Sequence, residues 1–215
     1  MKKKRILLVE DHPVFRLGMS EMINQEEDLN ICGWAESVAE AWNEVSRLDP
    51  DLVIADISLK QSDGLELVRD MKRFKSHIPA LVLSMHHETL YAERAIMAGA
   101  RGYIMKQEAP GSVVIAIRTV LSGRIYLSDD IKEKLLQGFA GTPGIYEHDS
   151  PMDRLAPREL EVFRMLGQGL TTREIALRMN LSVKTIGTYR ERIKEKLNLR
   201  HGNELLKHAV SWNES

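Results

Sequence analysis

The sequence predicts an α/β domain followed by a smaller all-α one, and three observations carry that prediction. Five short apolar runs alternate with helical patterns over residues 1–124, the signature of a parallel sheet covered on both faces. Gly138, Gly141, Pro143 and Gly144 then interrupt the pattern. From residue 153 onward the apolar spacing is wholly helical. Domains are therefore expected at 1–124 and 153–215, joined by a linker at 125–152.

The first strand, near 5–10, is the run Ile6-Leu7-Leu8-Val9, and a helix follows over 14–25. A strand at 29–34 and a helix at 38–47 come next. Asp49-Pro50 punctuates the chain before the strand at 51–55, and a helix spans 64–74. Ile78-Pro79 precedes the strand at 79–84, and Gly99 ends the helix at 88–98. A strand at 102–105 and a helix at 110–121 complete five βα units, which close as a doubly wound, five-stranded parallel sheet. Within the linker, Ser128 to Phe139 has the pattern of a short helix.

The second domain is expected to hold four helices. Pro157 suits a first helical turn, and Gly167 and Gly169 suit its end. Thr171-Thr172-Arg173-Glu174 is a capping box, and Ser182 caps a helix running to about Leu197. These two helices, joined at Asn180-Leu181, read as a helix-turn-helix. A last helix spans Asn203 to Trp212.

A chain 43% hydrophobic and 28% charged is ordinary for a globular protein. Only four apolar residues follow Lys2-Lys3-Lys4-Arg5 before Glu10, too few for a secretory core, and no run approaches a membrane span. A cytoplasmic protein is expected. The single cysteine, Cys32, cannot close an internal disulfide and reads as a small buried hydrophobe. The net charge of -1 hides an asymmetry, because residues 151–215 carry 12 Lys and Arg against 8 Asp and Glu. That surplus hints at nucleic acid, although a solvated face is the commoner meaning.

The chemistry is concentrated where the apolar runs stop. Glu10-Asp11, Asp56, Ser84 and Lys106 end strands one, three, four and five, and ligands of such sheets bind in the crevice at those ends. Singly, each has a plain explanation as a helix cap or a solvent-facing charge. Together they describe a pocket for a divalent cation and a phosphoryl group. Asp11, Asp56 and the backbone carbonyl of Ser58 suit Mg2+, a hard cation that keeps several waters. Asp56, ending the central strand, can attack phosphorus in line. Lys106 offers a fixed positive charge and Ser84 a hydroxyl to the phosphoryl oxygens.

On these residues, 4–122 resembles the receiver domain of response regulators, of flavodoxin-like fold, and 153–212 resembles the helix-turn-helix of the LuxR/NarL (FixJ) class. The resemblance implies that Glu10 and Asp11 bind Mg2+ and that Asp56 takes phosphoryl from a histidine kinase. It also implies that Ser84 and Lys106 contact that group and that Tyr103 is the switch aromatic. Kinase choice is then expected on the first helix, around Val14, Phe15, Leu17 and Gly18. Leu59-Lys60 departs from the Met-Pro usual after the acceptor strand, which removes a residue of fixed φ from that turn. Ala156 stands where relatives place a capping Thr, a loss of roughly 1 kcal/mol.

A helix-turn-helix places its second helix in the major groove of a double-stranded DNA operator. The buried stripe on that helix reads as Ile186, Tyr189 or Arg190, Ile193 and Leu197. Lys184, Gly187, Thr188, Glu191 and Glu195 lie opposite, with Thr185 beside them. Thr188 and Glu191 can meet base edges, Glu191 by accepting from cytosine. Arg190, Arg192, Lys194, Arg173 and the amides after Thr171 and Thr172 suit phosphates. Relatives often carry a basic residue in place of Gly187, so the glycine signals either close backbone approach to DNA or a tolerated substitution; both readings stand open. In relatives the last helix pairs two DNA-binding domains, which implies a homodimer through Leu205, Leu206, Ala209 and Trp212.

Two other functions compete with the phosphorylation-switched transcription regulator. A phosphatase or phosphotransferase with an aspartyl nucleophile would want a carboxylate two residues after it, where this chain has Ser58. A docking module independent of phosphorylation would not need the whole pocket.

Overall fold

The computed structural model describes residues 3–59, 63–85, 88–108, 110–133 and 151–213. Contacts divide the chain into two compact units, Met1–Thr142 and Pro143–Ser215.

The first unit runs β1 (Lys4–Val9), α1 (Pro13–Asn24), β2 (Leu29–Ala35), α2 (Val38–Leu48), β3 (Leu52–Asp56), α3 (Gly64–Phe74), β4 (Ala80–Ser84), α4 (Glu88–Ala98), β5 (Gly102–Met105) and α5 (Pro110–Leu121). The strands are all parallel, in the order β2-β1-β3-β4-β5. Chain direction across the sheet reverses between β1 and β3, and the carboxyl ends of those strands open the crevice of a doubly wound sheet. The continuous apolar runs of β1, β3 and β4 are fully buried, as burial on both faces demands. One face of the sheet packs Ile6, Leu8, Leu52, Ile54, Leu81 and Ile104 against α1 and α5.

Helix entries follow local chemistry. Pro13 occupies the first turn of α1, the Ser37 hydroxyl accepts from the Glu40 amide at α2, and the Asp63 carboxylate accepts from the Leu65 amide at 2.9 Å at α3. Gly64 is required by packing: a Cβ there would stand 2.0 Å from the carbonyl oxygen of Asp56.

Both sheet edges are modified. Along β2 the register with β1 slips by one residue between Ile6 and Leu7, leaving Cys32 in a bulge. Cys32 is half-buried rather than fully so, and burial pushes its thiol above the usual range, away from a reactive thiolate. At the opposite edge, Tyr126 donates to the Arg101 carbonyl and accepts from the Tyr103 amide, both at 3.0 Å.

That contact lies just beyond the expected boundary at residue 124. Leu127 and Ile131 are also buried, and 129–133 is helical, so the start of the expected linker packs as part of the first unit. The physical reason is its apolar spacing, which the stronger glycine and proline signal beyond 138 obscures. The rest of the short helix expected to reach Phe139 lies outside the described residues, as does Lys60.

The second unit opens with a 3-10 turn (Pro151–Arg154) and continues as α6 (Pro157–Gly167), α7 (Thr172–Arg178), α8 (Val183–Lys196) and α9 (Gly202–Asn213). Its core joins Leu160, Val162, Phe163, Leu166, Ile175, Ile186, Ile193, Leu205 and Ala209. Among the described residues, no helix is long and apolar enough to cross a membrane.

Candidate functional site

The strand-end residues meet in one buried cluster. Glu10 and Asp11 follow β1, Asp56 ends β3 and Ser84 ends β4; all four are at most 5% exposed. Lys106 follows β5, where its amide donates to the Ser84 carbonyl at 2.7 Å. Its side chain, 4% exposed, reaches back across the pocket. The ammonium donates to Glu10 Oε2 at 2.5 Å and to Asp56 Oδ2 at 2.9 Å. Asp56 Oδ1 accepts from the Ser58 amide at 2.9 Å, which leaves the two carboxylate oxygens of Asp56 with different partners.

His12, absent from the sequence-derived set, belongs to this cluster. Its Nδ1 lies 3.0 Å from Glu10 Oε1 and 2.9 Å from Asp11 Oδ1, and donor atoms of Glu10, Asp11, His12 and Asp56 all fall within 4.8 Å of one another. Three carboxylates held this close around one lysine ammonium carry excess negative charge, and a hard divalent cation fits such an oxygen-rich set. Phe15 is a second addition, with its ring centroid 4.6 Å from Lys106 Nζ. The sequence signal for both is their place within four residues of the acidic pair.

Tyr103 lies within β5 and is fully buried. On α1, Val14 and Leu17 are 86% and 71% exposed, so the first helix presents apolar side chains to solvent.

In the second unit the helix-turn-helix forms as its caps dictate. The Glu174 carboxylate accepts from the Thr171 amide and hydroxyl, both at 2.7 Å, and these bonds hold its carboxyl below the usual range. The Ser182 hydroxyl accepts from the Thr185 amide, and Asn180 takes the left-handed conformation of the turn, with φ 52°. Ile186 and Ile193 are buried, while Lys184, Thr188, Glu191, Arg192 and Glu195 are exposed along the other side of α8. A Cβ on Gly187 would meet nothing within 4 Å, so packing does not require the glycine.

Several residues of the DNA-binding set have partners inside the unit. Arg190 donates to the Thr172 hydroxyl at 2.6 Å, pinning α8 to α7. Lys194 pairs with Glu191 at 2.7 Å, with its side chain 19% exposed. Arg173 and Arg192 remain exposed.

The residues expected at a dimer contact divide by burial. Leu205 and Ala209 are fully buried in the unit's own core, and the Trp212 ring lies 5.9 Å from that of Phe163. Packing of one stripe on α6 and α8 buries Leu205 and Ala209, while Trp212 is half-buried. Leu206 and Val210, one turn apart, are the exposed apolar pair on α9.

Ala156 lacks a side-chain acceptor, yet half of a capping box survives. The buried Glu159 carboxylate accepts from the Ala156 amide at 2.8 Å and from Lys196 Nζ at 2.6 Å. Ala156 already has the extended backbone of a cap, with φ -63° and ψ 157°. Ala156→Thr is therefore expected to stabilise the second unit by about 1 kcal/mol. An unchanged midpoint in thermal denaturation would contradict this.

Comparison with known proteins finds the same two parts. Residues 6–118 match the response regulator receiver domain family, and residues 153–209 match the luxR family of bacterial regulatory proteins. The response regulator GacA of Pseudomonas aeruginosa is 33% identical over 207 residues, covering 96% of this chain and 95% of that protein. The response regulator UvrY of Escherichia coli is 32% identical over 205 residues, covering 95% and 92%. Among solved structures, a LuxR-family two-component response regulator from Aurantimonas matches with a TM-score of 0.60 and 30% identity, over 65% of this chain and 99% of that one. RcsB of Salmonella enterica serovar Typhimurium, bound to promoter rprA with the phosphomimetic BeF3-, matches with a TM-score of 0.58 and 26% identity, over 97% and 99%.

Proposed function

Because this chain belongs to the response regulators that join a receiver to a luxR-type DNA-binding domain, we propose that phosphorylation of Asp56 by a histidine kinase controls its binding to an operator. The observation that carries this reading is the buried Lys106 ammonium bridging Glu10 and Asp56. It sets a cation beside the one carboxylate that ends the central strand.

The residues divide the work. An Asp56 oxygen attacks phosphorus as the bond to the donor breaks, and Lys106 transfers a hydrogen bond from Asp56 Oδ2 to the incoming phosphoryl oxygens. Ser84 donates its hydroxyl to the same group. Glu10, Asp11, Asp56 and the Ser58 carbonyl would hold Mg2+, which supplies positive charge to the transferring group when bound. The new charge on Asp56 biases a two-state receiver through Ser84 and Tyr103. Exposed Val14 and Leu17 on α1 form the kinase-docking face.

The output is DNA binding from the cytoplasm. Thr188 and Glu191 read base edges, and Lys184, Thr185, Arg173, Arg192 and the amides following Thr171 and Thr172 hold phosphates. Arg190 and Lys194 act by positioning α8 and Glu191. The functional domains lie at 1–124 and 153–215, with residues 125–152 connecting them although their start packs on β5. Homodimers form through α9 with Leu206 and Val210 at the contact.

Acetyl phosphate with Mg2+ is the direct test. Wild type is expected to gain one phosphoryl group by intact mass, to dimerise and to bind DNA selected from a random pool more tightly. Asp56→Asn is expected to do none of these. Equal responses in the two proteins would sink the switch.

A further inference from the structure

Phe15 takes no part in the chemistry assigned above, yet its ring lies against the buried ammonium of Lys106. The ring is half-buried and packs against the core cluster beneath α1 and α5, which fixes its position. Its centroid lies 4.6 Å from Lys106 Nζ. That distance is within the range at which a cation is attracted to an aromatic face, and the attraction grows when water is excluded. Lys106, with its side chain 4% exposed, has lost nearly all its hydration. Two of its interactions go to Glu10 and Asp56, and the ring covers a further side.

We propose that Phe15 is a positioning residue for phosphoryl transfer, holding the Lys106 ammonium at the pocket while its hydrogen bond passes from Asp56 to the phosphoryl group. With acetyl phosphate as donor, the phosphorus–oxygen bond to acetate breaks and a bond from phosphorus to an Asp56 oxygen forms. Asp56 Oδ2 then ceases to be the partner it was in the resting state. A lysine released at that moment would be drawn toward Glu10 or toward water. The ring face attracts it without offering a competing acceptor, so the ammonium stays available to the oxygen on which charge develops. This inference rests on the reading of Asp56 as the phosphoacceptor.

The test replaces Phe15 in the full chain by mono-, di- and trifluorophenylalanine, which preserve shape while progressively weakening the ring's attraction for cations. The phosphorylation rate constant with acetyl phosphate and Mg2+ is expected to fall stepwise, by about three- to tenfold over the series. Phe15→Leu should fall as far as the trifluoro variant, with thermal denaturation unchanged across the fluorinated set. A residue that merely fills space would give a flat fluorinated series, and that result overturns the inference alone. Failure of wild type to take up a phosphoryl group overturns the Asp56 reading and this inference with it.

Discussion

Lys106→Met is expected to destabilise the first unit by about 3–5 kcal/mol in the absence of divalent cations, because it leaves buried charge without its partner. Methionine nearly matches the lysine stem in length, so cavity formation contributes little. The loss is electrostatic: Glu10 is 0% exposed and Asp56 2%, and both accept from the Lys106 ammonium. Native-state hydrogen exchange should report it as accelerated exchange of the β1 and β3 amides, by roughly two to four orders of magnitude. Added Mg2+ should restore part of the protection, since a divalent cation among Glu10, Asp11 and Asp56 replaces the missing positive charge. Protection equal to wild type without Mg2+ would show that the triad is not held together by this charge.

Phe163→Ala is expected to cost the second unit about 3–5 kcal/mol. Phe163 is fully buried on α6, and its ring packs at 5.9 Å from Trp212 on α9. Removing it empties the centre of a four-helix unit too small to lose that much and remain mostly folded. DNA binding should be lost along with amide protection across α6–α9. Phosphorylation of Asp56 should proceed at the wild-type rate, because the first unit has a core of its own. Intact DNA binding would place the stability of the helix-turn-helix elsewhere.

The sheet was legible because β1, β3 and β4 need both faces buried, and that requirement writes itself as unbroken apolar runs. Glu10, Asp56 and Ser84 were legible for the same reason, each standing where such a run stops. Roles that depend on three-dimensional neighbours left no such trace. Nothing in the spacing of Phe15 and Lys106 says that they touch, and the bond from Arg190 to Thr172 crosses a turn whose path must be known first. On α9 periodicity showed one apolar face, but only packing separates the buried Leu205 and Ala209 from the exposed Leu206 and Val210. Ala156 shows the reverse case. Its missing side-chain cap is plain in the sequence, whereas the compensating bonds of Glu159 are not.

The two modified edges of the parallel sheet bear on solubility. Strand β2, Leu29-Asn30-Ile31-Cys32-Gly33-Trp34-Ala35, is uncharged and apolar except for Asn30, the kind of edge on which foreign strands nucleate aggregates. The bulge at Cys32 breaks the regular ladder that an added strand would need, while Tyr126 occupies the ladder beyond β5. Neither edge offers a clean template for fibril growth. A protein proposed to work in pairs can therefore be concentrated at an operator through its helices, with open-ended strand stacking closed off as a competing form of self-association.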